Sequence, residues 1–534
     1  MKIPLNSGAY QNRSLIANAQ RSVNVFCENN PEEADPESPF THYVRPGNRP
    51  LGAPPVPGRG RGVFRVSNGD LYGVVGPNVY YINPNWQFTE LGQIQNQSTP
   101  VSMDDNGQSN GNEIVLVDNS PLGYQINMTS RQMTQIVDTT GLFTGATRTQ
   151  FFDTVFSFNQ IATNNWYVSL SEQVAFNALD QASKGTFGDP IQTLIACQRT
   201  LWLIGTMTSE PWFDAGDPIF PFEEVFGQIV PHGTIAPYSV CTIDVNAFFL
   251  SQDKDGRAIF LMIEGYGAKR VSTYALEDEW LTYPTLTDAI CYTYQQGGHS
   301  FVVIHFPSAN KSWGFDRATS QWHERAYTDK NGKLNRERVA FHAFAYDTNV
   351  GMDWQTGQIY ALDPNYATDN GQPISCIRSF PHVVNEMHMV TLPCFTADMA
   401  TGTLAGSAEV PQISGAFSSG FGTQSPVGIT VTPVPGSGWT EVSSGVPTLG
   451  KNLSWGPQAV ALPPQVSLRV SKDGGETFGN YRTKQLASAG HYRSMLRWRG
   501  LGQGRDFVFE LSWVAGMTTG LNQAFLDPPI VHAA

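Results

Sequence analysis

Charge is the scarcest commodity in this 534-residue sequence: Asp, Glu, Lys and Arg make up 15% of it, where about a quarter is usual. The balance is also one-sided, with 33 Lys and Arg against 46 Asp and Glu for a net charge of −13. That argues against a protein that coats nucleic acid by neutralising phosphates with cations. No apolar run approaches the roughly 18 residues needed to span a bilayer. Met1–Tyr10 has neither the basic n-region nor the apolar core of a secretory signal, so the expected site of synthesis and folding is the cytoplasm. The six cysteines (Cys27, Cys197, Cys241, Cys291, Cys376, Cys394) lie far apart, without a Cys-x-x-Cys pair or zinc-like spacing. They read as buried thiols. Phosphate-binding loops, G-x-S-x-G elbows and usable G-x-G-x-x-G turns are absent as well. Neither a catalytic residue, a cofactor nor a metal site is expected.

Helical periodicity is nearly absent too. Only Pro221–Gly227 and Leu276–Tyr283 read as short helices. What fills the chain instead is strand-like runs bounded by Gly, Asn, Asp and Pro. Aromatics reach 12%, and Gly (51) and Pro (35) are plentiful, which suits short buried strands joined by tight turns. Low charge with many aromatics also suits a chain that hides surface against other subunits. At this length two or three domains are expected.

The strands come in repeating units of roughly 35–50 residues. Gly62–Gly92, Pro100–Ile136, Phe151–Leu179, Thr193–Gly216, Tyr238–Thr273 and Ala289–Ala326 each offer an apolar strand, a turn, a second apolar strand and an aromatic third. Such antiparallel units can bury their faces only against one another, which predicts a β-propeller. Six blades are favoured, and Ala340–Asp363 supplies either a seventh or the closing strands. The fold class is therefore all-β, with the propeller at 62–373. Residues 1–61 (strands at Arg21–Glu28 and Phe40–Pro46, then a Pro/Gly/Arg linker) and 374–534 are expected to form a β-rich platform or sandwich. A Gly/Ser/Pro-rich insertion lies at 405–463. Within the C-terminal part Gln465–Val470, Tyr481–Gln485, His491–Trp498 and Phe507–Trp513 alternate as strands.

Three groups of residues invite a functional reading. Ser471–Gly479 fits the Asp-box pattern S-x-D-x-G-x-T-[WF], in which Ser471, Asp473 and Thr477 bond back to a turn while Gly474 and Gly475 take positive φ. The neighbouring carboxylates Glu223-Glu224 and Glu277-Asp278-Glu279, and the histidines His299, His305, His323, His382 and His388, show no diagnostic acid–base or metal spacing. Charge is unevenly placed: from Glu441 onward there are nine Lys/Arg against six Asp/Glu, leaving the remainder at −16. Arg493, Arg497 and Arg499 share one strand face with Met495. That face is either a solvated surface or a contact for an acidic partner subunit. A single Asp box keeps open an alternative, a sialidase-like propeller acting as a glycan-binding or glycan-cleaving spike. The several boxes and arginine triad that would favour it are missing.

The course Ser471–Gly475, Gly490–Trp498 and Leu501–Phe509, together with RSVNVFCE (Arg21–Glu28), RPG (Arg45–Gly47) and LYGVVGPNVYYI (Leu71–Ile82), resembles the packaged-DNA stabilisation proteins of short-tailed phages, also described as tail hub or nozzle proteins. The resemblance runs from about residue 20, the insertion excepted. It implies a virion protein of the tail, assembled in the host cytoplasm into a sixfold ring. Portal-adaptor proteins would lie above it, and needle, tip or fibre proteins beside or below. Duplex DNA would be retained by the ring and pass through its lumen without sequence-specific binding. The charge division adds an expectation: a neutral to acidic lumen, with Arg493, Arg497 and Arg499 at a subunit contact.

Overall fold

A computed structural model of the chain describes residues 2–5, 11, 14–15, 18–30, 40–109, 111–185, 187–217, 220–386, 388–401, 465–486, 493–514 and 519–531. The insertion at 405–463 and the start of the Gly490–Trp498 motif lie outside these residues.

Strands dominate because nearly every apolar run is short and ends at a residue that accepts positive φ. In the first hairpin Leu71–Val75 and Asn78–Ile82 are buried along their whole length, and Gly76, at φ 56°, makes the turn between them. A strand buried on both faces needs a neighbour on each side, and the chain supplies one by repetition. Four-stranded antiparallel sheets follow one another at residues 60–93, 102–135, 149–183, 191–224, 241–270 and 290–324. They are the first six blades of a propeller.

There is a seventh. Val339–Ala345, Thr348–Asp353 and Ile359–Asp363 form three of its strands, and the fourth is Gly47–Gly52 from near the N-terminus. The favoured count of six is thus corrected to seven, because the segment 340–363 is completed by a strand some 300 residues upstream. That strand was read as a linker. It contains Pro50, tolerated because the register shifts between Ile359 and Tyr360, opposite Gly52 and Pro50.

Each gap between blades holds its own apolar cluster, from Tyr72, Val101 and Leu116 between blades one and two round to Val63, Val350 and Met352 between blades seven and one. Trp166 and Trp212 meet edge to face at 5.3 Å between blades three and four. Truncating a core aromatic of that size typically costs about 3–5 kcal/mol, so packing between blades supplies much of the propeller's cohesion.

A sandwich built from both chain ends is fused to this ring. One sheet continues blade six: its outer strand Gln321–Glu324 pairs parallel with Ser22–Val23, which pairs in turn with Ser375–Ser379. Asp506–Val514, Gln465–Ser471 and Arg482–Gln485 extend it. The facing sheet is Val25–Asn29, Phe40–Val44, Thr519–Leu526, Val390–Thr401 and Arg493–Gly504 in that order. Phe395 of one sheet and Phe509 of the other meet at 5.0 Å in a core that also holds Trp498 and Trp513.

Three further expectations need correction. Arg21–Glu28 is not one strand: Asn24 sits at φ 59° and divides it between the two sheets. Residues 1–61 are not all platform, since Gly47–Gly52 belongs to blade seven and Gly60–Arg65 to blade one. Pro221–Gly227 is not a helix. Phe222–Glu224 is the outer strand of blade four, drawn there by the packing of Phe222 on Trp166. The second helix exists but starts earlier, at Tyr274–Trp280.

Candidate assembly interface

The Asp-box residues close a tight turn at the end of Gln465–Ser471. Ser471 Oγ donates to Asp473 Oδ1 at 2.6 Å and accepts from the Gly475 amide at 2.8 Å. The Asp473 carboxylate also takes the Thr477 amide at 2.9 Å and the Thr477 hydroxyl at 2.5 Å. Gly474 and Gly475 both have positive φ, 72° and 95°. A Cβ on Gly475 would lie 2.7 Å from the Cβ of Ala19, so the turn also seats the N-terminal segment. These hydrogen bonds, led by that from Ser471, lower the Asp473 pKa to about 2. A depressed carboxylate contributes stability present above its unfolded value and lost as pH falls towards 2. Asp473→Ala is expected to cost about 1 kcal/mol at neutral pH. Gly475→Val, strained in φ and crowded, should cost about 1–3 kcal/mol. Denaturant titration checks both. An Asp473→Asn chain that loses stability between pH 4 and 2 as steeply as the parent would show that the carboxylate is not the group responsible.

Arg493, Arg497 and Arg499 do share an exposed face, on Arg493–Gly504, whose alternate residues are buried. This strand is the last of its sheet's order, and Arg482–Gln485 is the last of the other. The two ends meet, because the Arg482 guanidinium donates to the Arg499 and Gly500 carbonyls at 3.0 Å. Arg493 is already engaged by Asp398 at 2.6 Å. Arg482, Lys484, Arg497 and Arg499 stand exposed beside the apolar side chains of Met495 and Tyr481.

The opposite character appears on blade four. Its outer strand, Phe222–Glu224, exposes Glu223 and Glu224. Asp214 and Phe213 are exposed on the strand beside it, and Phe226, which follows, is 92% exposed. The outer strands of blades two and three carry no charge, and that of blade five carries Lys269 and Arg270. Blade four thus presents an edge both acidic and aromatic.

One site went unread in the sequence: the junction of propeller and sandwich. Asn24 lies fully buried there, its amide donating to the Ala326 and Ser375 carbonyls at 2.9 and 2.8 Å. Its carbonyl oxygen accepts from the Ala326 amide at 2.8 Å and from Arg45 Nε at 2.9 Å. Arg45 spends its remaining four N–H groups on the Pro46 and Ala326 carbonyls and on both oxygens of Asp369, at 2.5–3.0 Å. Beside it Arg325 and Glu337 form a buried pair at 2.9 Å. The Arg-Pro-Gly motif is therefore a structural clamp. Its only sequence signal was the motif itself.

The remaining candidates are dispersed. Glu277 pairs with Arg270, Asp278 with Arg257, and Glu279 accepts from Tyr283, so each is occupied locally. Burial drives His305 and His323 well below their ordinary pKa, leaving them neutral. His299 is held by Asp316 at 2.9 Å and His382 by Asp506 at 2.8 Å, while His388 is half exposed. Among the described residues no group of three His, Cys, Asp or Glu is placed to hold a metal. The innermost strands of all seven blades surround an axial cavity of about 350 Å³, lined by residues such as Phe64, Asp104, Arg148, Thr193, Cys241, Cys291 and His342.

The family described as "Bacteriophage P22 Gp10, beta-propeller" matches residues 1–367. The chain belongs to that family. It is thereby a phage tail structural protein with a propeller fold and a component of the virion. No curated protein matches. Among solved structures the chain is similar to PorZ of the Porphyromonas gingivalis type-IX secretion system (10% identity, TM-score 0.35, 60% of this chain and 38% of that one). It is also similar to the WD40 propeller domain of Doa1 (9%, 0.37, 60% and 97%). A third is the extracellular domain of the putative one-component system BT4673 from B. thetaiotaomicron (11%, 0.38, 88% and 61%). These likenesses concern fold alone.

Proposed function

We propose that this protein is a non-enzymatic subunit of a phage tail tube, a nozzle or hub that assembles into a six-membered ring. The ring retains packaged DNA and forms the channel for its ejection. The observation that carries the reading is the division of charge within a phage tail protein. The bulk of the chain stands at −16, while the exposed arginines gather on one edge of the sandwich.

An acidic or neutral wall repels the duplex weakly across a Debye length of roughly 10 Å at 0.1 M salt. A cationic wall would grip phosphates and oppose ejection. The DNA path lies between subunits, not along the propeller axis. A cavity of about 350 Å³ is far too small for a duplex. Portal-adaptor proteins above the ring and needle, tip or fibre proteins beside or below complete the tail.

Ring closure needs two different surfaces that fit each other. The basic edge around Arg497 and Arg499 and the acidic, aromatic edge of blade four around Glu223 and Glu224 are complementary in charge, and a twofold contact of either with itself would repel. Reversing either pair (Arg497→Glu with Arg499→Glu, or Glu223→Lys with Glu224→Lys) is expected to disperse rings seen by negative-stain microscopy. Combining the four changes should restore them. Rings that survive either reversal would overturn this contact, and a parent chain that forms no ring would overturn the tube itself.

A further inference from the structure

The thiols of Cys241 and Cys291 touch. Their sulfurs lie 3.1 Å apart, although the residues are fifty positions apart in sequence. Cys241 opens the innermost strand of blade five, and Cys291 lies in that of blade six. The two strands are packed together but belong to separate sheets, so this contact bridges a blade boundary.

The approach is built in by its surroundings. Next to it the Thr293 hydroxyl donates to the Thr242 carbonyl at 2.7 Å. Further along, Gln295 and Arg317 both donate to the Asp244 carboxylate. On the other flank Arg148 donates to the Val240 carbonyl at 2.8 Å. The strands can therefore slide little relative to each other. Both cysteines border the axial cavity; Cys241 is buried and Cys291 is partly exposed, so a small oxidant can reach the pair from the Cys291 side. Both are free thiols in this state.

We propose that Cys241 and Cys291 are a site of covalent modification, an inter-blade disulfide formed on exposure to a peroxide. One sulfur, as thiolate, attacks a peroxide oxygen, breaking the O–O bond to give a sulfenic acid and water. The second sulfur displaces the hydroxyl oxygen, forming the S–S bond and releasing a second water. Two thiols are oxidised and one hydrogen peroxide is reduced to two waters. The sulfurs need to close by about 1 Å to reach a bond length of about 2.05 Å. Burial raises the Cys291 thiol above its ordinary range, which keeps it mostly protonated and slow to react, and in a thiol-buffered cytosol any bond formed would be reduced again. Oxidising surroundings outside the cell are where the bond would accumulate. It would weld blade five to blade six at the propeller's inner wall, where apolar packing and the hydrogen bonds of Thr293, Gln295 and Arg317 otherwise hold them.

The test treats the full chain with hydrogen peroxide, alkylates the remaining thiols and maps non-reduced peptides. The expected result is one linked peptide joining Cys241 to Cys291. A rise of several degrees in melting temperature should accompany it, be reversed by dithiothreitol, and be absent from Cys291→Ser. If that variant folds poorly, Cys241→Ala replaces it as control. Recovery of both residues alkylated or overoxidised, or linkage of either to a different cysteine, would overturn the proposal.

Discussion

Arg45→Met is expected to be the most damaging single substitution at the junction, destabilising the chain by about 3–5 kcal/mol. All five guanidinium N–H groups of Arg45 are bonded, and its charge faces Asp369 and Glu337, which are themselves buried. Methionine fills most of the volume but removes the cation. Asp369 then loses its cation in a buried site, and the Asn24 oxygen loses a donor. The penalty comes from what remains unpaired and exceeds the net worth of the pair itself. Arg45→Lys should fall between the two, since an ammonium keeps the charge but cannot satisfy Asn24 and both oxygens of Asp369 together. The damage should be local at first. Protease should gain access next to Ala326 and next to Ser375, whose carbonyls Asn24 ties together, before the blades themselves open. A denaturation midpoint for Arg45→Met indistinguishable from the parent would mean that the cluster is not a clamp.

Gly47→Val should rival it by a different route. A Cβ at this position would fall on the Tyr366 carbonyl oxygen and lie 2.7 Å from that of Thr368. Both are backbone atoms that cannot swing aside. The strand Gly47–Gly52 would have to leave Ile359–Asp363, stripping blade seven of its fourth strand and exposing the buried residues from Ile359 to Leu362. A loss of about 4 kcal/mol or more is expected, the range reserved for backbone clashes that dismantle a buried element. Amide hydrogen exchange at 359–363 should accelerate, with blades two to five spared. Gly58→Ala in the same stretch is the control: its Cβ would sit 3.4 Å from Val75 Cγ1, an ordinary contact, so it should be nearly neutral. Equal exchange rates in Gly47→Val and the parent would place the closing strand elsewhere.

Both positions belong to the Arg-Pro-Gly motif, and they mark where sequence patterning succeeds and where it stops. The blades were legible because their second and third strands are continuous apolar runs, such as Phe248–Leu250 and Phe260–Ile263, bounded by turn residues. The sandwich strands were legible through alternation, as in Arg493–Gly504. The closing strand was hidden because GNRPLG has two glycines and a proline and owes its conformation to its partners, not to its own propensity. The break at Asn24 was hidden for a related reason: its positive φ is held by four hydrogen bonds from residues some 20 to 350 positions away, which no local window contains. Glu223-Glu224 looked helical because only Phe222 carries the packing that fixes that segment as a strand. The arginine face could be read from parity. That Arg493 is already taken by Asp398, 95 residues earlier, could not.

The distant origin of the seventh blade's fourth strand has a consequence for how the protein is made. Gly47–Gly52 leaves the ribosome before its partner Ile359–Asp363, which follows about 310 residues later. At roughly 5–20 residues per second, that is an interval of about 15–60 s. Throughout it, blade one has no seventh blade to cover its Val63 and Tyr80, and the waiting strand offers unpaired backbone to any neighbour. In an infected cell making many copies at once, the nearest neighbour is another unfinished copy, whose Ile359–Asp363 could accept the strand in exchange. Polysomes translating this message should therefore be prone to strand-swapped, misassembled chains, and yield should depend on how quickly the last third of the chain is delivered.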